Sequence, residues 1–334
     1  MTTKTTDIPS PIRTYYDQRL LQRLLPKLVH KAAAETRPLA MRKGDQIKFR
    51  RIESLATQTV PLEEGVTPPP IVLDDTQITS TIAQYGGYAI LTDMVQMTDV
   101  DPIVSETVGL IGEMMGNTID QTIASVINAG TSYIRVTAPD AGSVSGARTV
   151  VDNGVFTPYH LRLAVSTLEN ANVEKIKPMI KTGSGYNSSP VPESYIMYIH
   201  PTIAAWIRGG DHAYWPAATS GFIPVQNYAN YTGLYDGEIG AHISGVRFLM
   251  STNVKSWPDA SADNTTVYSN LLVGKGFYAC TEMAGVRTYI HDRKIEGGPL
   301  EQRSTVGAIV EHVTTILNDS CGCRIECESK LAGT

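Results

Sequence analysis

The residue types best suited to chemistry are crowded near the end of the chain, at Cys321, Cys323 and Cys327. Their spacing is Cys-x-Cys-x-x-x-Cys. A structural zinc takes four ligands, commonly from paired Cys-x-x-Cys motifs, and that pairing is missing here. All three share strand parity with Ile325, while Gly322, Arg324, Glu326 and Glu328 take the other parity. This pattern reads as a strand that uses cysteine as a small apolar residue. Gly274-Lys275-Gly276 suggests a phosphate loop, but the rest of that motif and its following Ser/Thr are absent, so a turn between strands is expected. His200, His242, His291 and His312 are scattered, without HExxH or a Ser/His/Asp constellation. Asp259, Asp263 and Asn264 lack calcium-loop spacing. No catalytic, cofactor or metal site is expected from these residues.

Bulk properties narrow the class. The chain has 334 residues, enough for two domains or for one domain with large excursions. Its net charge of −5 argues against a surface that grips nucleic acid through phosphates. No run of 18 apolar residues occurs, so no membrane span is expected. The polar N-terminus has no signal-peptide core. Four cysteines without a disulfide framework fit folding in a reducing cytoplasm.

With no chemistry to position, the elements themselves carry the information. Residues 101–130 predict a long helix, a spine. Asp101 suits the N-cap, Pro102 the first turn and Gly130 the stop. About 28 helical residues span about 42 Å. Val104, Val108, Ile111, Met115, Ile119, Thr122 and Val126 form an apolar stripe. Gly109, Gly112 and Gly116 lie beside it, where something should approach closely. Glu106, Glu113 and Asp120 recur every seven residues on another face, which is either simply solvated or faces other subunits.

Two further segments cannot bury themselves. Residues 11–35 form an amphipathic arm, with Leu20, Leu21, Leu24, Leu25 and Leu28 against Arg13, Arg19, Arg23, Lys27 and Lys31, interrupted by Pro26. Its basic side could meet the acidic face of the spine. Residues 45–93 predict a long hairpin. Its return arm puts Ile78, Ser80 and Ile82 on one face and Thr79, Thr81 and Ala83 on the other. A lone hairpin is marginal in water, and arms of about 15 residues reach about 50 Å, so another copy of the chain is the simplest support. Beyond a polar connection, residues 157–270 read as a compact α/β domain. Thr157-Pro158 starts a helix, SYIMYIH is a strand, PTIAAWIRG a short helix and HISGVRFLM a strand. Residues 271–334 read as a closing β-sheet.

This order resembles the major capsid proteins of tailed bacteriophages, the α+β architecture called the Johnson fold. TYYDQRLLQRLLPKLVH, RKGDQIKFRRIESL, LEEGVTPP, TDVDPIVSE, HPTIAAWI, DGEIGAHISGVRFLMS and GGPLEQRSTVGAIVEHVTTILND are similar to a podophage-type coat family, over residues 10–330. The resemblance implies an N-arm (1–40), an extended loop (41–95), a spine and connection (96–156), an axial domain (157–270) and the closing sheet of a peripheral domain (271–334). It implies a non-enzymatic virion protein that assembles in the host bacterial cytoplasm. Pentamers and hexamers would close an icosahedral shell around double-stranded DNA, which is held without sequence-specific contacts and without a membrane. Subunit contacts would involve Arg13, Arg19, Arg23, Lys27, Glu106, Glu113 and Asp120. Some relatives crosslink through an extended-loop lysine. Residues 60–75 contain none, and Lys43 and Lys48 sit near the base, so a non-covalent shell, with a cement protein, is expected. So few residues precede the arm that a separate scaffolding protein is expected, alongside a portal. An encapsulin-like compartment shares the fold and is the alternative; an unrelated two-domain enzyme is the other class.

Overall fold

The computed structural model of the chain describes residues 28–328, except 41, 43, 54, 56, 62–63, 66, 68–69, 99–102, 139–140, 144–153, 182–188, 209–210, 213–214, 217–220, 230–232, 259–265 and 292–299. Most of the arm, Asp101-Pro102 and the Asp259–Asn264 group lie outside the described residues.

In chain order, β1 (Glu35–Thr36), β2 (Gln46–Ile52), β3 (Asp75–Thr81) and β4 (Ala83–Thr92) precede α1 (Asp93–Thr98) and the spine α2 (Ile103–Ile127). Then come β5 (Tyr133–Ala138), β6 (Ala141–Ser143), α3 (Pro158–Asn170), β7 (Tyr195–Ile199) and α4 (Pro201–Arg208). The short β8 (Asp211–His212) and β9 (Trp215–Pro216) pair with each other, and β10 (Phe222–Pro224), β11 (Glu238–His242), β12 (Val246–Met250), β13 (Ser256–Pro258) and β14 (Thr266–Val273) follow. β15 (Tyr278–Glu282), β16 (Arg287–His291), β17 (Arg303–Ile316) and β18 (Gly322–Glu328) end the chain. Among the described residues no helix is long and apolar enough to cross a membrane.

A nine-stranded sheet runs β10-β11-β12-β7-β14-β18-β5-β6, with β13 beside β14. Its central strand β7 is YIMYI, buried throughout, the continuous apolar run of a strand covered on both faces. Tyr195, Met197 and Ile199 join the core beneath α3 and α4. Ile196 and Tyr198 join the core that contains α2. That second core also takes Tyr278, Cys280, Val306, Ala308 and Val310 from a smaller, five-stranded sheet centred on β17. The spine is therefore wedged between two sheets. On β17, β4 occupies one edge, while β16 and then β15 occupy the other.

The wedge explains the composition of the helix. Val108, Ile111, Met115, Ile119, Ile123 and Ile127 are buried, each contributing about 1.5–3 kcal/mol. That outweighs the roughly 1 kcal/mol cost of each of Gly109, Gly112 and Gly116, which are buried as well. Toward the C-terminal end the stripe is carried by Ile123 and Ile127, with Thr122 and Val126 half-buried beside them. A strict seven-residue repeat drifts around a 3.6-residue helix, so the buried face moves one position. The helix covers about 37 Å over its 25 residues.

Three sequence expectations need correction. The hairpin's return arm is not continuous: β3 pairs with β2, but after Ile82 the chain leaves the hairpin and β4 pairs with β17 over ten residues. The alternation of Ile78, Ser80 and Ile82 inward is as expected. HISGVRFLM is not one strand, because Gly245, at φ +78°, turns β11 into β12. The 270/271 boundary cuts through β14, and β18 pairs with β14 and β5 in the larger sheet, not with the closing sheet. Alternation showed that these segments were strands, but strand partners are chosen by long-range packing. Gly274-Lys275-Gly276 is the expected turn, between β14 and β15.

Leu272 is fully buried at the centre of the larger sheet. Leu272→Ala should lower stability by about 2–5 kcal/mol, measured as a shift in the urea midpoint at unchanged slope.

Candidate functional site

A carboxylate lies in the wall of the apolar spine. Asp120 is fully buried, between Ile119 and Ile123 in sequence. It accepts hydrogen bonds from the His30 backbone N–H at 2.8 Å and the Asn253 side-chain amide at 2.9 Å, and it pairs with His30 Nδ1 at 2.9 Å. His30 is held from every side. Its carbonyl accepts from the hydroxyls of Tyr198 and Tyr278, which are 3.0 Å apart, and its ring lies 4.6 Å from the Tyr198 ring. The next residue, Lys31, pairs with Glu282 of β15 at 2.5 Å. The arm's exit is thereby pinned to the spine, to β7 and to β15.

Burial by itself raises the carboxyl pKa. The His30 hydrogen bond and charge, with Asn253, outweigh it and hold Asp120 below the usual carboxylate range. Burial pushes both tyrosine hydroxyls well above their ordinary value, so they remain donors.

A second buried network closes the far end of the spine. The Arg324 guanidinium donates to the carbonyls of Asn128 and Gly130 and, at 2.9 Å, to Glu326. Arg135 donates to the other Glu326 oxygen at 3.0 Å. A cation at a helix C-terminus satisfies the last carbonyls and opposes the helix dipole. The charged residues opposite the cysteines thus carry the spine's cap. Cys323, Ile325 and Cys327 pack into the core under α3, whereas Cys321, just before the strand, enters the spine core. Burial pushes Cys323 up to about 11 and Cys327 up to about 12, which keeps them as thiols. Among the described residues no three His, Cys, Asp or Glu side chains converge as a metal site.

Three outward surfaces are unusual. The hairpin exposes Ile52, Leu55, Val60, Ile71, Val72 and Leu73. Its base is fixed by Phe49, buried beneath Arg37, and by Ser80 bonded to Thr315 of β17 at 2.5 Å. The outer face of the small sheet forms an open cleft of about 570 Å³ beside Tyr88, Tyr289, His291 and Ile309. Gly86 and Gly307 form its floor. A Cβ on Gly86 would sit 2.9 Å from the Ala308 carbonyl, and one on Gly307 3.0 Å from Tyr88. The third surface is the outer side of the spine, where Leu110 and Met114 are exposed, with Met94 and Met97 exposed on α1.

Of the sequence-selected contact residues, Glu106 is exposed on the spine, Glu113 is half-buried and Asp120 is enclosed by its own chain. Asp120 therefore does not present its charge to a neighbour, because His30 and Asn253 consume it. Arg13, Arg19, Arg23 and Lys27 lie outside the described residues. Sequence reading missed His30 and Asn253. The available signal was an aspartate between buried isoleucines, which demands a partner.

No protein-family profile and no curated protein sequence matches the chain. Solved structures do. The capsid of Ralstonia phage GP4 aligns at TM-score 0.68 and 12% identity, over 90% of this chain and 88% of that one. The capsid of cyanophage P-SCSP1u aligns at 0.60 and 12%, over 88% and 86%. The head of Helicobacter pylori bacteriophage KHP40 aligns at 0.58 and 13%, over 90% and 88%. The chain has the α+β Johnson fold of tailed-phage capsid proteins.

Asp120→Ala leaves the His30 ring and amide buried without their acceptor and should cost about 3–5 kcal/mol. In the intact protein the depressed carboxyl adds stability above its unfolded pKa of about 3.9. That contribution is lost as pH falls through the lower folded value. Thermal unfolding from pH 7 to pH 2 should therefore show a wild-type advantage over Asp120→Asn that shrinks below about pH 4.

Proposed function

We propose that this chain is a major capsid protein that assembles into the pentamers and hexamers of an icosahedral head enclosing double-stranded DNA. The observation that carries the reading is the likeness to phage capsid structures over about nine tenths of the chain. The surfaces agree with it physically. An extended loop with six exposed apolar side chains is poorly suited to a lone subunit. Contacts between different patches of identical chains close into rings, and repeated interfaces supply stability that one subunit lacks.

In this reading the chain is structural and not enzymatic. The region around α3, α4 and β10–β12 surrounds the capsomer centre as an axial domain, and the spine with the small sheet forms the peripheral domain. Arm cations Arg13, Arg19, Arg23 and Lys27 pair with Glu106 and Glu113 of a spine. Exposed pairs contribute only about 0–1 kcal/mol each, so they set register across many copies more than they bind. A separate scaffolding protein and a portal direct closure in the host bacterial cytoplasm. A cement protein reinforces a non-covalent virion shell, and DNA is enclosed without sequence readout or membrane.

Expression alone and with a candidate scaffold, followed by light scattering and negative-stain microscopy, should give closed shells or capsomer rings. A discrete small oligomer under every condition overturns the capsid reading. DNA in particles from infected cells separates a phage head from a compartment loaded with enzymes. The paired reversal Arg19→Glu and Arg23→Glu should reduce particle yield while leaving the subunit's thermal midpoint in place. Normal shells from that variant overturn the arm-to-spine pairing. Tyr88→Asp, on the exposed small-sheet face, should likewise cut particle yield without unfolding the subunit, read by sedimentation.

A further inference from the structure

We infer that the open edge of β4 pairs antiparallel with β4 of a second copy of this chain, across a two-fold axis at Tyr88, so that two small sheets become one. The contact rests on the capsid reading above and names one interface of that shell, in which the same patch of both copies meets itself.

One edge of β4 pairs with β17 along its whole length, and among the described residues no strand pairs with the other edge. Hydrogen bonds fix which groups that edge presents. The Asp93 N–H donates to the Gln302 carbonyl, and on the far side of β17 the Met283 N–H donates to the Glu311 carbonyl. Bonded residues alternate along an antiparallel ladder, so the even-numbered residues of β17 face β4, where they meet Ala83, Tyr85, Gly87, Ala89 and Leu91. Gln84, Gly86, Tyr88, Ile90 and Thr92 therefore turn their N–H and C=O groups outward, and all five are exposed. Natural sheets guard such edges with charges, prolines, bulges or short strands. Ala83–Thr92 contains no charged residue and no proline, and its register with β17 is unbroken. By contrast β16, the other outer strand, has five residues with Arg287 and His291 at its ends. The helix after β4 leaves the edge clear. Gln96 of α1 donates to Ser304 at 2.6 Å, on the side of β17 that carries Val306, Ala308 and Val310 into the spine core.

The strand is complementary to itself about Tyr88. Counting equally in both directions sets Gln84 against Thr92, Gly86 against Ile90 and Tyr88 against its own copy. Every outward residue then has a partner, and two bonds per facing pair give about ten hydrogen bonds. Gly86 leaves room for the Ile90 side chain, and the two Tyr88 rings form a cross-strand aromatic pair on the outer face. On the inner face Tyr85 meets Leu91 and Gly87 meets Ala89, residues only half-buried in the single subunit. Apolar side chains flank the edge above and below. Tyr88 and Ile90 are 73% and 50% exposed on the outer face. Beneath, a Cβ on Gly87 would sit 2.7 Å from Met114 Cε, which places Met114 under the edge strand with Leu110 one helical turn away. These two are 41% and 60% exposed. Open backbone groups and exposed apolar side chains thus run along one line, and a second copy covers both together.

Facing residues of a bonded antiparallel pair have Cα atoms about 5.5 Å apart, within the span of a disulfide. Tyr88→Cys places two thiols at that separation, whereas Ile90→Cys leaves them four residues out of register, about 14 Å apart. The native cysteines are buried and stay out of the reaction. Assembled particles are mildly oxidised and run on a non-reducing denaturing gel. Tyr88→Cys should give covalent dimer in about tenfold excess over Ile90→Cys. The double variant Gln84→Cys/Thr92→Cys should give dimer and nothing larger, because a two-fold pair closes on itself. Equal dimer from Tyr88→Cys and Ile90→Cys overturns the register. A ladder of trimers and longer chains from the double variant overturns the two-fold, and no dimer from either Tyr88→Cys or the double variant overturns the pairing. Hydrogen exchange on the wild-type chain tests the contact without any substitution. Residues 83–92 should gain protection when subunits become particles, and unchanged exchange overturns the pairing. The capsid reading is judged separately, by whether the wild-type chain forms particles.

Discussion

The rest of the structure depends on one constraint, the placement of a carboxylate inside the spine. A buried, unpaired carboxylate would cost several kcal/mol, or would have to take up a proton. Asp120 avoids both because three distant segments converge on it. The arm brings His30, the turn after β12 brings Asn253, and Tyr198 and Tyr278 hold the His30 carbonyl from two different sheets. An apolar residue at position 120 would leave the His30 amide and ring and the Asn253 amide without their acceptor. The polar knot, with Val29 buried beside it in the spine core, therefore fixes where the chain enters the body.

The spine transmits that placement. It is wedged between two sheets whose strands pair separately, so both cores meet on one helix. Buried glycines along it allow close approach, and Arg324 and Glu326 cap its far end from β18. The helix is tied two turns before its C-terminus by a carboxylate and at that terminus by a guanidinium. The hairpin, by contrast, touches the body mainly at its base, through Phe49 and Ser80. A rigid body with an anchored but unsupported extension is what a subunit needs when its remaining contacts come from other copies.

Most of the elements were legible in the sequence because their periods are strong. The spine, α3 after Thr157-Pro158, α4 after Pro201 and the all-apolar β7 follow from apolar spacing and helix-start residues. The strand nature of the cysteine segment followed from parity. Errors fell where local pattern carries no information about partners. β4 and β3 read as one arm because both alternate, yet only β4 finds an edge of β17. β18 read as part of a closing sheet, yet its partners are β14 and β5.

By itself the sequence determined most of the elements and their order, because periodicity and turn residues are local properties, and its resemblance to a coat family implied the class of fold. Only the tertiary structure decided which strands share a sheet, that Asp120 faces inward, and that His30 meets it across ninety residues of chain. Those outcomes depend on long-range pairing, in which a buried charge accepts only partners that the whole fold can deliver.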